Sequence, residues 1–167
     1  MTTKRLTRIS MLTAVALTIF VVELQIPAPV PIPGVKLGLA NIVTVCAMFL
    51  FGPADTALIL AARILLGSFF SGRITSLFYS LAGSTLCYLM MLLLKQIVSE
   101  RQIWVCSVLG AISHNIGQII VAILITRTPA LICYLPVLML SGIIAGAFTG
   151  LCAQFVVNRG VISEKSL

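Results

Sequence analysis

Charge is the scarcest commodity in this sequence. Only 9% of its 167 residues are Asp, Glu, Lys or Arg, and just four of them are acidic: Glu23, Asp55, Glu100 and Glu164. A water-soluble domain needs about a quarter of its residues charged to cover its surface, so that class is excluded. Four scattered acids supply neither a close carboxylate pair for acid–base work nor an aspartate-rich cluster for magnesium and diphosphate. The chain also lacks a P-loop, a G-x-G-x-x-G and an H-E-x-x-H. Its five cysteines, Cys46, Cys87, Cys106, Cys133 and Cys152, stand singly in apolar stretches with no C-x-x-C pair. They indicate small buried hydrophobes rather than a disulfide framework or a metal site. The expectation is a chain that is no enzyme by itself, has no cofactor or metal, and relies on a partner for any energy it uses.

What the sequence has is apolar length: 60% hydrophobic residues and a mean hydropathy of +1.17. At about 20 residues per crossing, 167 residues hold six short-looped spans and no additional soluble domain. The predicted spans are 9–26, 37–51, 54–70, 74–94, 103–125 and 136–157, forming one integral membrane domain over 1–167. The first run follows Lys4, Arg5 and Arg8 like a signal peptide, but no A-x-A site follows and Pro27 and Pro29 crowd Ala28. A retained first helix is therefore expected. Proline at 27, 29, 31 and 33 then favours a stiff, extended outer loop. Gly52-Pro53 is a tight turn between the second and third spans, and Pro136 is a good first residue for the sixth. Residues 130–135 fit either a helix start or an interfacial segment.

The net charge of +7 comes from 11 Lys and Arg residues. Nearly all lie at the ends of apolar runs, the pattern of positive-inside topology and anionic-lipid contact rather than of nucleic-acid binding. With the N-terminus inside, Lys4, Arg5, Arg8, Lys95, Arg101, Arg159 and Lys165 are cytoplasmic, and Lys36, Arg73 and Arg127 are external. Seven against three predicts both termini in the cytoplasm of a multi-pass protein of the cell membrane.

Arg63 is the exception, since it lies inside the third span. A charge at the centre of a membrane helix costs about 2.5–3.5 kcal/mol on the lenient insertion scale, so Arg63 should face the bundle interior. Glu23, in the outer part of the first span, is its natural counter-ion if the two helices touch. Either the pair fixes helix register or Arg63 holds an anionic ligand group with Glu23 beside it. In the fifth span His114 and Gln118 share a face at i,i+4, with Asn115 adjacent. Groups of this kind glue helices together or line a polar cavity. Asn41 and Thr44 are weaker versions in the second span, and Lys36 either snorkels to headgroups or overhangs an external cavity. The candidate substrate-binding set is thus Glu23, Lys36, Asn41, Arg63, His114, Asn115 and Gln118. Small-residue stripes at Gly142, Gly146 and Gly150, and at Ser10, Ala14 and Thr18, mark faces for internal packing or for docking another membrane protein.

Several segments occur in a familiar order: Val35-Lys36-Leu37-Gly38-Leu39-Ala40-Asn41-Ile42, Met48-Phe49-Leu50-Phe51-Gly52-Pro53, Gly67-Ser68-Phe69-Phe70-Ser71-Gly72 and Ser80-Leu81-Ala82-Gly83. Together they resemble the Gx transporter family, often labelled heptaprenyl diphosphate synthase component I, over about residues 5–157. That family in turn resembles the substrate-binding (S) components of energy-coupling factor (ECF) vitamin transporters. The resemblance implies an all-α, six-helix bundle with an external pocket for a small molecule, covered by the first loop. It also implies a first-helix face, here Ser10, Ala14 and Thr18, that docks a transmembrane scaffold subunit powered by separate ATPase subunits. The usual docking motif is built on alanines, from which Ser10 and Thr18 depart. The label implies a different role, that of a non-catalytic membrane accessory in prenyl diphosphate or quinone synthesis.

Overall fold

The computed structural model describes residues 3–26, 38–72, 74–99 and 102–165, with the side chains of 160–165 left out of the description. Its helices are α1 (Thr3–Glu23), α2 (Asn41–Leu50), α3 (Pro53–Ser71), α4 (Ile74–Lys95), α5 (Ile103–Thr126) and α6 (Leu135–Lys165). A 3₁₀ turn, Pro129–Tyr134, precedes α6 and resolves the ambiguous stretch before it. No strand forms among the described residues. The proline-rich segment 27–34 and Lys36 lie outside them.

Local chemistry sets most of the boundaries. α1 begins six residues before the predicted span because Thr3–Arg8 continue the helix beyond its apolar part, exposed throughout. It ends at Glu23, four residues short of Pro27, and the residue before a proline disfavours helix. Gly52 adopts φ +89° ahead of α3, a left-handed value that suits glycine, and Pro53 fills the first helical position. α6 runs well past Val157, taking Arg159 into the helix.

The second helix corrects the sequence reading. The apolar pattern predicts a span over 37–51, but α2 has only 10 residues. At 1.5 Å per residue it is about 15 Å long, roughly half of a hydrocarbon core about 30 Å thick. Residues 38–40 form a turn instead, with Gly38 at φ +78°. Five described helices are long and apolar enough to cross a membrane, where the sequence reading expects six.

The helices alternate in direction, α2 included. Arg5 at the start of α1 pairs with Asp55 at the start of α3, and the Arg8 guanidinium lies 4.4 Å from the Phe51 ring. At the same end, Lys95 Nζ donates to the Met48 carbonyl at 2.6 Å. Val45, Met48, Met91, Ile103 and Val157 share one apolar core there. The start of α1 and Val157 of α6 therefore lie at one end of the bundle, together with Arg5, Arg8 and Lys95. The outer surface is apolar, with Phe69, Leu124, Ile144, Phe148 and Leu151 exposed. So much uncovered hydrocarbon suits lipid rather than water.

Glycine governs packing between α4, α5 and α6. A Cβ at Gly146 would fall 2.8 Å from the Val108 Cα, and one at Gly117 would fall 2.8 Å from the Ala82 carbonyl. The Gly142, Gly146 and Gly150 stripe is therefore used within the chain, against α5. The Ser10, Ala14 and Thr18 face of α1 behaves differently: all three residues are exposed.

Candidate functional site

Arg63 is the eleventh of 19 residues in α3, Ser84 the eleventh of 22 in α4, and His114 the twelfth of 24 in α5. Each lies near the middle of a helix long enough to cross a membrane. They meet there. Arg63 Nη2 donates to Ser84 Oγ at 2.9 Å. The neighbouring Gly83 lets α4 approach the His114 ring, since a Cβ there would lie 2.9 Å from its Cε1 and Nδ1. On the other side of the imidazole is Gly38, whose absent Cβ would be 3.5 Å from His114 Cδ2 and 2.9 Å from Asn41 Nδ2. The Gly38 N–H donates to the Glu23 carboxylate, and Glu23 and Arg63 interact electrostatically. A single polar cluster thus joins the end of α1, the start of α2 and the middles of α3, α4 and α5.

The start of α2 therefore sits at the depth where α3, α4 and α5 are half-way across. Irregular backbone at that depth is tolerated only when it is buried in protein or lines a polar cavity. α2 is electrostatically clamped at both ends. The Glu23 carboxylate lies at its positive, N-terminal end and Lys95 at its negative, C-terminal end, each sign matching the helix dipole.

Glu23, Asn41, Arg63, His114, Asn115 and Gln118 are all buried. Glu23, Asn41, Arg63 and His114 belong to the cluster. Gln118 lies one turn beyond His114 on the same face of α5. Asn115 departs from it: its Nδ2 donates to the Leu138 carbonyl of α6, which makes it helix glue. Lys36 lies outside the described residues. Thr44 is buried in the α2 interface. Arg63 Nε, Asn41 Oδ1 and Gln118 Oε1 have no hydrogen-bond partner, and neither does Asn115 Oδ1 on the α6 side or Thr13 Oγ1 in α1. A buried polar atom left unsatisfied costs about 1–3 kcal/mol, so this concentration at one depth calls for a reason.

Sequence reasoning missed Ser84, Gly83 and Gly38. The run Ser80-Leu81-Ala82-Gly83-Ser84 carried a signal, because small residues in an apolar helix mark close approach. Nothing in the spacing indicated that Gly38 would bring backbone to mid-depth. Elsewhere among the described residues, apolar atoms line a cavity of about 510 Å³ between α4 and α5, at Phe78, Leu81, Val121 and Leu124, and another of about 290 Å³ at the α3–α4 turn. No group of three or more potential metal ligands occurs among the described residues.

Helices of this length and surface, enclosing a buried polar cluster, define a multi-pass helical membrane protein. The chain belongs to the heptaprenyl diphosphate synthase component I family, whose model matches residues 12–156. Neither a curated relative nor a solved structure matches it.

Proposed function

We propose that this protein is a substrate-binding subunit of the ECF S-component type, residing in the cell membrane with both termini in the cytoplasm. It takes up a small vitamin- or cofactor-like molecule and is energised by partner subunits. The observation that carries this reading is the half-length α2, whose first turn lies at mid-depth among buried polar atoms that lack partners. Interrupted helices with termini near the midplane are how secondary transporters build solute sites, because freed backbone groups and helix dipoles become available to a ligand. A purely structural cluster has no use for unsatisfied atoms.

The same reading gives the exposed α1 face its role. Ser10, Ala14 and Thr18 form a stripe of small exposed residues, and the Thr18 hydroxyl donates to the Ala14 carbonyl at 3.0 Å, which satisfies it within its own helix. Such a surface admits close approach of another membrane helix, here a scaffold subunit coupled to ATPases. This chain supplies no catalysis. The test is affinity purification after co-expression with a scaffold and its ATPase pair. Wild type should bring both down, and Ala14→Leu should lose them while remaining monodisperse. No recovery of the ATPases with wild type would overturn the assignment. Reporter fusions after Gln96 and Asn158 should report cytoplasm; an external signal at Asn158 would reverse the orientation.

A second reading follows the family description, that of a membrane accessory to a prenyl diphosphate synthase. The cavity between α4 and α5 favours it, being apolar, about 510 Å³ in volume and lined by the exposed Phe78, Leu81 and Leu124. Lipid mass spectrometry of the purified protein separates the two, since an accessory of this kind retains a prenyl lipid and a solute-binding subunit a polar molecule.

A further inference from the structure

We infer that the polar cluster is an oxyanion seat, and that its ligand is a small molecule whose carboxylate or phosphate replaces the Glu23 carboxylate at the start of α2. The inference rests on the solute-binding reading above and adds the chemical class of the solute.

Four observations converge on it. First, the Gly38 N–H, in the turn that leads into α2, already donates to a carboxylate, that of Glu23; the dipole at a helix N-terminus favours an anion there, although the N–H groups of Asn41, Ile42 and Val43 are held by the carbonyls of Gly38, Leu39 and Ala40. Second, a guanidinium stands across the cluster and is only partly used. Arg63 Nη2 reaches Ser84, while its Nε, in a side chain 6% exposed, has no partner. Planar guanidinium donors match carboxylate and phosphate oxygens in pairs. Third, Asn41 lies at the same turn, with its Nδ2 beside Gly38 and its Oδ1 unsatisfied in a side chain 5% exposed. Fourth, Gln118 Oε1 is unsatisfied one turn along α5 from His114. The donors call for an oxyanion, and the two spare amide oxygens call for hydroxyl or N–H groups on the same molecule.

The charges decide what happens on binding. Among the described residues Glu23 and Arg63 are the charged groups of the cluster and balance each other, so a second anion beside Glu23 would leave these groups with a net negative charge in a desolvated site, which is unfavourable. The ligand therefore competes with Glu23. Glu23 is an internal substitute that keeps the end of α2 and Arg63 compensated until the solute arrives. Neutralising it should strengthen anion binding, the opposite of what removing a ligand-contacting group does.

The experiment titrates acetate and inorganic phosphate against the thermal unfolding of the full chain in detergent, with chloride at equal ionic strength as the control. Glu23→Gln should be stabilised at about tenfold lower anion concentration than wild type, as removal of a buried like charge implies. The more effective of the two anions distinguishes a carboxylate from a phosphate ligand. Asn41→Asp, which fixes a second carboxylate in the seat, should abolish the response, and it serves as the test if Glu23→Gln does not fold. A Glu23→Gln response no better than wild type, or an undiminished one in Asn41→Asp, would overturn the inference. Native mass spectrometry of the same samples keeps the two levels apart. A retained solute with no anion response in any variant rejects the oxyanion class alone. Neither solute nor response rejects solute binding as well.

Discussion

α5 presents two different faces to its neighbours. Toward α6 it offers backbone: Gly142, Gly146 and Gly150 bring the helices so close that added methyls would meet Asn115, Val108 and Trp104 at 2.6–2.8 Å. Polar groups on that face bond across the interface, as with Ser107 Oγ and Thr149 Oγ1 at 3.1 Å and the Asn115 Nδ2 that donates to the Leu138 carbonyl, although Asn115 Oδ1 goes without a partner. Toward α2, α3 and α4 it offers the His114 ring, beside Arg63, Asn41 and Gln118, where three buried polar atoms go without partners. In hydrocarbon, association relies on close packing and on hydrogen bonds that are complete. The α5–α6 face, with its close backbone packing, comes nearer to that rule, and the opposite face departs from it further. Regions that break the rules of stable packing are where function is expected.

Mutation can break or sharpen this contrast. The largest effect belongs to the glycine face. Gly146→Leu should destabilise the protein by about 3 kcal/mol, because the Val108 backbone cannot withdraw from the added side chain. Thermal unfolding in detergent measures this, and a wild-type midpoint would mean that the helices are free to separate. Asn115→Ala removes the bond to Leu138 and should cost about 0.6–1.7 kcal/mol, the range for interhelical bonds in membranes. In the polar half the sign should reverse. Gln118→Leu discards an unsatisfied oxygen and should leave the unliganded protein unchanged or up to about 1 kcal/mol more stable, while weakening solute retention. Loss of stability there would show that Gln118 is structural. The smallest effect is expected at Ala14→Leu, within about 0.5 kcal/mol of wild type, since the residue is exposed.

The contrast was only partly legible in the sequence. Helix existence was plain from long apolar runs, and the ends of α3, α4 and α5 fell within a residue or so of their predicted positions because Gly52-Pro53, Gly72 and Lys95 mark them. α2 was misread, since hydropathy cannot distinguish residues that are apolar and helical from residues that are apolar and turning. Leu37-Gly38-Leu39-Ala40 continues the pattern while Gly38 breaks the helix. Arg63, His114 and Asn41 were conspicuous because polar groups are costly in such helices. The destination of each side chain was not, because helical spacing fixes which residues share a face and says nothing of which neighbour that face meets. That is why Asn115, next to His114, turned out to face α6. Ser84 was passed over because serine is unremarkable in a small-residue run; only the arrival of Arg63 gives it meaning.

The central claim is that the mid-depth cluster holds a solute rather than merely fixing helix register. Native mass spectrometry of gently purified wild type and of the double variant Glu23→Gln/Arg63→Met addresses it most directly. Removing both charges together avoids leaving one buried and uncompensated, which alone commonly costs about 3–5 kcal/mol. The variant should therefore stay folded. The account expects wild type to carry a small polar molecule that the double variant has lost. The same bound mass in both, or none in wild type, would contradict it.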